Sequence, residues 1–141
     1  MRKEFKEKYD SISKVYCPYF KQHVYFTRMG YEHIFFKKKY KARNETDLEM
    51  RVKLFPLAIK LLGTTSTIQD VQHRNRFEER YINSRKEVAL VSVTYYEFIA
   101  LINEKKIKTV LKQIIGGNIV FLSIIPLLKQ KSPPFEGDGF G

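Results

Sequence analysis

The chain has 141 residues, of which 43% are hydrophobic and 14% aromatic, with 11 Phe, 9 Tyr and no Trp. That is the size of one domain with a full core, which excludes both a pair of ordinary domains and a wholly disordered chain. The 26 Lys and Arg outnumber 15 Asp and Glu, giving a formal charge of +11; a field of that sign gathers polyanions, so nucleic acid is the first partner expected, ahead of an anionic membrane or an acidic protein.

The basic excess runs through the body of the chain, since the last ten residues carry only Glu136 and Asp138 as charges. A lone Cys17 excludes an internal disulfide and fits a reducing cytoplasm, the compartment expected here. Met1 to Asp10 is mostly charged and lacks the apolar core of a secretory signal. The longest apolar run, Ile119 to Leu128, is broken by Ser123 and Pro126 and is too short to span a bilayer, so no membrane partner is expected.

In chain order, Phe5, Tyr9, Ile12 and Tyr16 recur at helical spacing with lysines on the other faces. They predict an amphipathic helix over 4–16, ended by Pro18. His23 to Thr27 reads as a short strand. After Met29-Gly30-Tyr31, the segment 32–36 fits helix or strand equally, and a basic cluster (Lys37, Lys38, Lys39, Lys41, Arg43) follows it. Thr46 and Glu49 make a capping-box pattern, and Leu48, Val52, Phe55, Ile59 and Leu62 form one helical stripe. Gly63 stands where a C-cap belongs, and Pro56 is expected to kink or split the helix.

Residues 64–86 are polar and read as loops or short edge strands. From Glu87 the texture is β; Tyr96 to Ile102 has both helical and strand spacing, with strand preferred. Ile107–Ile115 and Asn118–Ile125 around Gly116-Gly117 predict a β-hairpin. In its first strand Ile107, Leu111 and Ile115 share one face, while Lys106, Lys108 and Lys112 point the other way, giving a sheet with one apolar and one basic face. Residues 132–141 read as a disordered tail by composition, leaving a single domain over 1–131. The fold class expected is α+β, with N-terminal helices packed on one face of a roughly four-stranded antiparallel sheet.

Phosphate-loop and dinucleotide signatures are absent. His23, His33, His73 and Cys17 lie at no metal-ligand spacing, so neither a metal nor another cofactor is expected. The chemistry left to these residue types is metal-free RNA cleavage. It needs a group to take the ribose 2′-OH proton, another to protonate the departing 5′-oxygen, and cations to stabilise the phosphorane. His33, between Gly30 and the basic cluster, fits the proton-transfer role; a half-buried structural histidine is the alternative. Arg51 borders the apolar stripe of its helix and either reaches a cleft beside the sheet or is simply exposed. Ser123, within the last apolar run, either satisfies a backbone group or holds a scissile phosphate. Gln113 is a polar residue on the apolar face. Lys108 and Lys112 are expected to contact phosphate, and Tyr95 and Tyr96 either stack on bases or pack in the core.

The segment Val24–Ile34 (VYFTRMGYEHI), then Arg51 on a helix, then two terminal strands closing on Phe121–Pro126 (FLSIIP), resembles small phage- and bacteria-borne domains of the barnase/EndoU/colicin/RelE-like (BECR) superfamily. The likeness covers roughly residues 15–126. It implies helices on a four-stranded antiparallel sheet whose open face cleaves RNA without a metal, in proteins many of which are toxins. On that likeness His33 is the acid/base, Arg51 and Lys37 (with Lys38 beside it) are phosphate ligands, and Ser123 is a positioning group. An acidic antitoxin or immunity protein is the partner it implies besides RNA. No carboxylate is assigned as general base. A non-catalytic basic module binding RNA or DNA, or an adaptor for an acidic protein, is the alternative.

Overall fold

The computed structural model describes residues 2–38, 41–64, 70–82, 84–102 and 104–127; the expected tail at 132–141 lies outside them. The elements are α1 (Arg2–Ile12), β1 (Lys14–Cys17), β2 (Gln22–Tyr25), α2 (Arg28–Phe35), β3 (Phe36–Lys38), β4 (Lys41–Ala42), α3 (Glu45–Thr64), β5 (Asp70–Ile82), β6 (Arg85–Ile102), β7 (Lys105–Ile114) and β8 (Ile119–Leu127). The α+β class holds, with the helices on one side of the main sheet. The sheet itself corrects the four-stranded antiparallel expectation. It has six strands in the order β1-β2-β8-β7-β6-β5, and β2 runs parallel to β8. Among the described residues no helix is long and apolar enough to cross a membrane.

The first helix is shorter than its stripe. Phe5 and Tyr9 are buried at i,i+4, but Ser13 takes a left-handed φ of 59° and turns the chain into β1. Only a few residues tolerate that conformation, and it ends a helix whatever side chains follow. Tyr16 therefore pairs with His23 across a β1–β2 hairpin. The ambiguous segment that follows is helical through Phe35, then extended.

In α3 the cap is Asn44, whose Oδ1 accepts the Asp47 N–H at 2.8 Å, not the Thr46 of the expected capping box. The helix also runs through Pro56 to Thr64, past Gly63. A mid-helix proline costs about 3 kcal/mol. Leu48, Leu54, Phe55, Ala58 and Leu62 are buried on both sides of it, and that burial outweighs the loss.

The core lies between the helices and one sheet face. Phe55 sits at its centre, with ring centroids 5.3 Å from Phe5, 5.4 Å from Tyr9, and 5.8 Å from both Phe26 and Phe121. Phe26 stacks on Phe121 at 4.9 Å. Such ring pairs add to the area they bury. Gly30 lets α2 into this packing. A Cβ there would fall 2.6 Å from the Phe121 carbonyl oxygen and 2.7 Å from the Tyr9 hydroxyl. Alanine gains about 1 kcal/mol of helix propensity over glycine, whereas overpacking costs about 1–3 kcal/mol. One of the obstructing atoms is backbone, so the clash wins. Gly30→Ala should lower the urea midpoint, and Gly30→Val should lower it further; an unchanged or raised midpoint would refute the close approach.

The largest correction concerns residues 64–86. Of the two readings, loops or short edge strands, the edge strand holds for Asp70–Ile82, but it is long: 13 residues paired along their whole length with β6. Because β7 pairs with β6 only from Val93 onward, the stretch Asn75–Ile82 and its partner Arg85–Ser92 project as a two-stranded arm. Lys112 is level with Gln72 in the register, yet its Nζ donates to Glu78 Oε1 at 2.8 Å. Six residues of extended chain span about 20 Å in a flat sheet, far beyond a lysine side chain. The arm therefore curls back over the face that the helices leave open. Val93 and Val110 of the sheet and Val91 of the arm itself are buried, apart from the helix-side core.

Candidate functional site

The C-terminal end of α2, the segment leading into α3, and β8 are tied by a chain of polar contacts. Arg43 donates to the His33 carbonyl oxygen through Nε at 3.1 Å and Nη2 at 2.9 Å. Its Nη1 pairs with Asp47 Oδ2 at 3.3 Å. Arg51 Nε pairs with Asp47 Oδ1 at 2.8 Å, and its Nη1 donates to the carbonyl of Ile124 in β8. Asp47, in the first turn of α3, stands between two guanidinium groups: Arg51 one turn further along the helix, and Arg43 in the segment just before its cap. Burial works to raise the Asp47 carboxyl, but the hydrogen bond and charge of Arg51, then those of Arg43, outweigh it and hold the group below its ordinary value.

His33 is half-buried at this junction. Burial lowers its pKa, and the nearby charges of Arg43, Lys112 and Arg51 add to the effect against an opposing Glu32. Both causes penalise the imidazolium, so the ring is neutral at pH 7 and able to accept a proton. Of the expected site residues, His33, Arg51 and Lys112 are thus brought into one electrostatic neighbourhood. Arg51 is 8% exposed, neither a free phosphate ligand nor an exposed helical arginine: it bridges Asp47 and β8.

Ser123 is the residue before the carbonyl that Arg51 holds. It pairs with Val110 beside an irregularity in the β7–β8 register, and its hydroxyl has no hydrogen bond among the described residues. Its register with Val110 places it on the face under the arm, whereas the Ile124 side chain is in the helix-side core. Lys37 is exposed in β3 without an ion pair among the described residues, and the side chain of Lys38 lies outside them.

The expected basic face is corrected as well. Lys112 is buried and paired with Glu78, and Lys108 stands 3.7 Å from Glu97. These two cations are largely balanced by carboxylates of β5 and β6. Gln113 serves the hairpin, accepting from the Tyr96 hydroxyl at 3.0 Å and donating to the Gly117 carbonyl at 3.0 Å. Tyr95 lines a concavity of about 440 Å³ on the sheet face under the arm, and its hydroxyl accepts from Arg76 Nη1 at 2.7 Å. Sequence reasoning passed over Arg74 and Arg76, whose alternate positions on β5 were hidden within a stretch read as loops or short edge strands. It also passed over Asp47, whose four-residue spacing from Arg43 and Arg51 was visible.

Among the described residues no group of three or more His, Cys, Asp and Glu is placed to hold a metal ion. Cys17 is buried, and burial pushes its thiol pKa up, away from the reactive thiolate. No protein-family model, curated protein or solved structure matches this chain.

Proposed function

We propose that the protein is a metal-independent endoribonuclease of toxin type. The observation that carries this reading is His33: a neutral imidazole held in the company of Arg43, Arg51 and Lys112. In the proposed reaction the imidazole takes the proton of a ribose 2′-OH, and the 2′-oxygen attacks the adjacent phosphorus. The surrounding cations stabilise the phosphorane, and the 5′-oxygen leaves with a proton, generating a 2′,3′-cyclic phosphate. The net charge of +11 supports RNA as substrate and an acidic antitoxin or immunity protein as its natural restraint. The cytoplasm is where such an enzyme would meet its RNA.

Cleavage of single-stranded RNA by the purified protein should persist in excess EDTA and leave cyclic phosphate ends. A strand with 2′-deoxyribose at the scissile position should resist, because the internal nucleophile is missing. Loss of cleavage in EDTA, or equal cleavage of DNA, would overturn the chemistry. A second reading, a non-catalytic RNA-binding module, is favoured by one observation: Arg51 is already committed to Asp47 and Ile124, and Lys112 to Glu78. Folded protein that binds RNA and leaves it intact would establish that reading instead.

A further inference from the structure

We propose that the concavity under the β5–β6 arm is a subsite for one nucleotide of a single-stranded RNA chain, with Arg74 and Arg76 holding its phosphate. The proposal rests on the RNA reading above for the nature of the strand, but on residues separate from His33.

Alternate residues of a strand face the same way, so Arg74 and Arg76 stand side by side on β5. Both are exposed, and neither has a carboxylate partner among the described residues. Lys112, Lys108 and Lys86 nearby are, by contrast, paired with Glu78, Glu97 and Glu79. Arg74 and Arg76 are nevertheless oriented. Arg74 Nη2 donates to Gln72 Oε1 at 2.8 Å, and Arg76 Nη1 donates to the Tyr95 hydroxyl at 2.7 Å. Neutral acceptors hold the guanidinium groups without cancelling their charge, which leaves donors of two forks for a phosphate.

The rest of the cleft matches the rest of a nucleotide. Its volume of about 440 Å³ lies within the usual range for small-ligand sites, roughly 300–1,000 Å³. Tyr95 offers an aromatic surface between the arginines and Glu97, which is two residues further along β6 and also lines the cleft. The Glu97 carboxylate, 3.7 Å from Lys108, keeps oxygen lone pairs that can accept from N–H groups of a base. A group with an anion at one end and N–H donors at the other satisfies both ends; a polyphosphate does not.

The test uses a short single-stranded RNA carrying 2′-O-methyl groups, so that binding is read without cleavage. For single strands the affinity falls with salt as about 0.7 per phosphate neutralised on logarithmic axes; R74A/R76A, which gives up one phosphate, should therefore reduce the slope by about 0.7 and weaken binding roughly 5-fold at about 0.1 M salt. R74K/R76K keeps both charges and should keep the slope. Glu97→Gln should change the preference among the four homo-oligomers. An R74A/R76A protein that binds with the parent's affinity and slope overturns the subsite. Cleavage of unmodified RNA, run in parallel with His33→Ala, separates the two readings. If His33→Ala stops cleavage while R74A/R76A binds like the parent, the ribonuclease stands and the subsite falls. If the parent cuts nothing but R74A/R76A shows the expected loss, the subsite stands and the ribonuclease falls.

Discussion

Replacing His33 by alanine is expected to lower the rate of RNA cleavage by about 10²–10⁴-fold, the usual worth of a positioned proton-transfer group, while leaving the fold intact. The second half of that expectation follows from which atoms of His33 are used. Arg43 binds its carbonyl oxygen, not its ring, so the tie between α2 and α3 survives truncation of the side chain. The pH profile adds an independent check. His33 has its pKa lowered from the ordinary 6.5, by burial first and then by Arg43 and Lys112. A base must be unprotonated to act, so cleavage should hold as pH falls to 6.5 and decline only below it. Stability follows the same sign. The unfolded chain takes up the proton near 6.5 and the folded chain resists it, so stability is complete above that pH and falls as pH drops toward the lowered folded value. His33→Ala should remove this dependence. A folded alanine variant that cleaves like the parent would end the catalytic role of His33.

What could be read in the chain beforehand follows from where each signal resides. The β7–β8 hairpin was legible because its turn and its period-two pattern are both local: Gly116, with φ of 78°, turns between Ile114 and Ile119. Its β7 end shows the opposite case. The basic face looked free because its carboxylate partners come from other strands, Glu78 from an edge strand whose length and pairing the sequence did not reveal and Glu97 from the neighbouring strand. Strand β5 was illegible since much of it is an arm open to solvent on one side. Asn75, Phe77 and Glu79 are all exposed, so no buried face imposes an alternation. The end of α1 turned on one backbone angle at Ser13, which side-chain spacing does not report. For the site, the stripe of α3 correctly set Arg51 at its border. The acceptor that gives it a role, Ile124, is 73 residues away, and the parallel pairing of β2 with β8 is equally non-local.

Arg51→Met should be the most destabilising of the substitutions considered, by about 3 kcal/mol. Methionine fills much of the same space, so the loss isolates the guanidinium. Two terms make it up. The charge-assisted bond to Asp47 disappears, and hydrogen bonds to charged groups contribute about 1.5–3 kcal/mol. The Ile124 carbonyl also loses its arginine donor in a buried setting, and an unsatisfied buried group costs about 1–3 kcal/mol. Arg43 still faces Asp47 after the change, so the carboxylate is not stranded, which keeps the cost below the sum of the upper limits. Equilibrium urea unfolding at about pH 8, well above the ordinary value of an unfolded imidazole, measures the effect without interference from His33. Cleavage then tells what Arg51 does for the site. If it only ties α3 to β8, Arg51→Lys should recover little stability, since lysine lacks the fork that meets Asp47 and Ile124 together. Activity per folded molecule should then fall modestly, through displaced neighbours. If Arg51 touches the scissile phosphate, activity should fall by orders of magnitude while the remaining folded protein keeps its RNA affinity. A stability unchanged in Arg51→Met would contradict the buried bridge itself, and with it the placement of His33 that depends on the same chain of contacts.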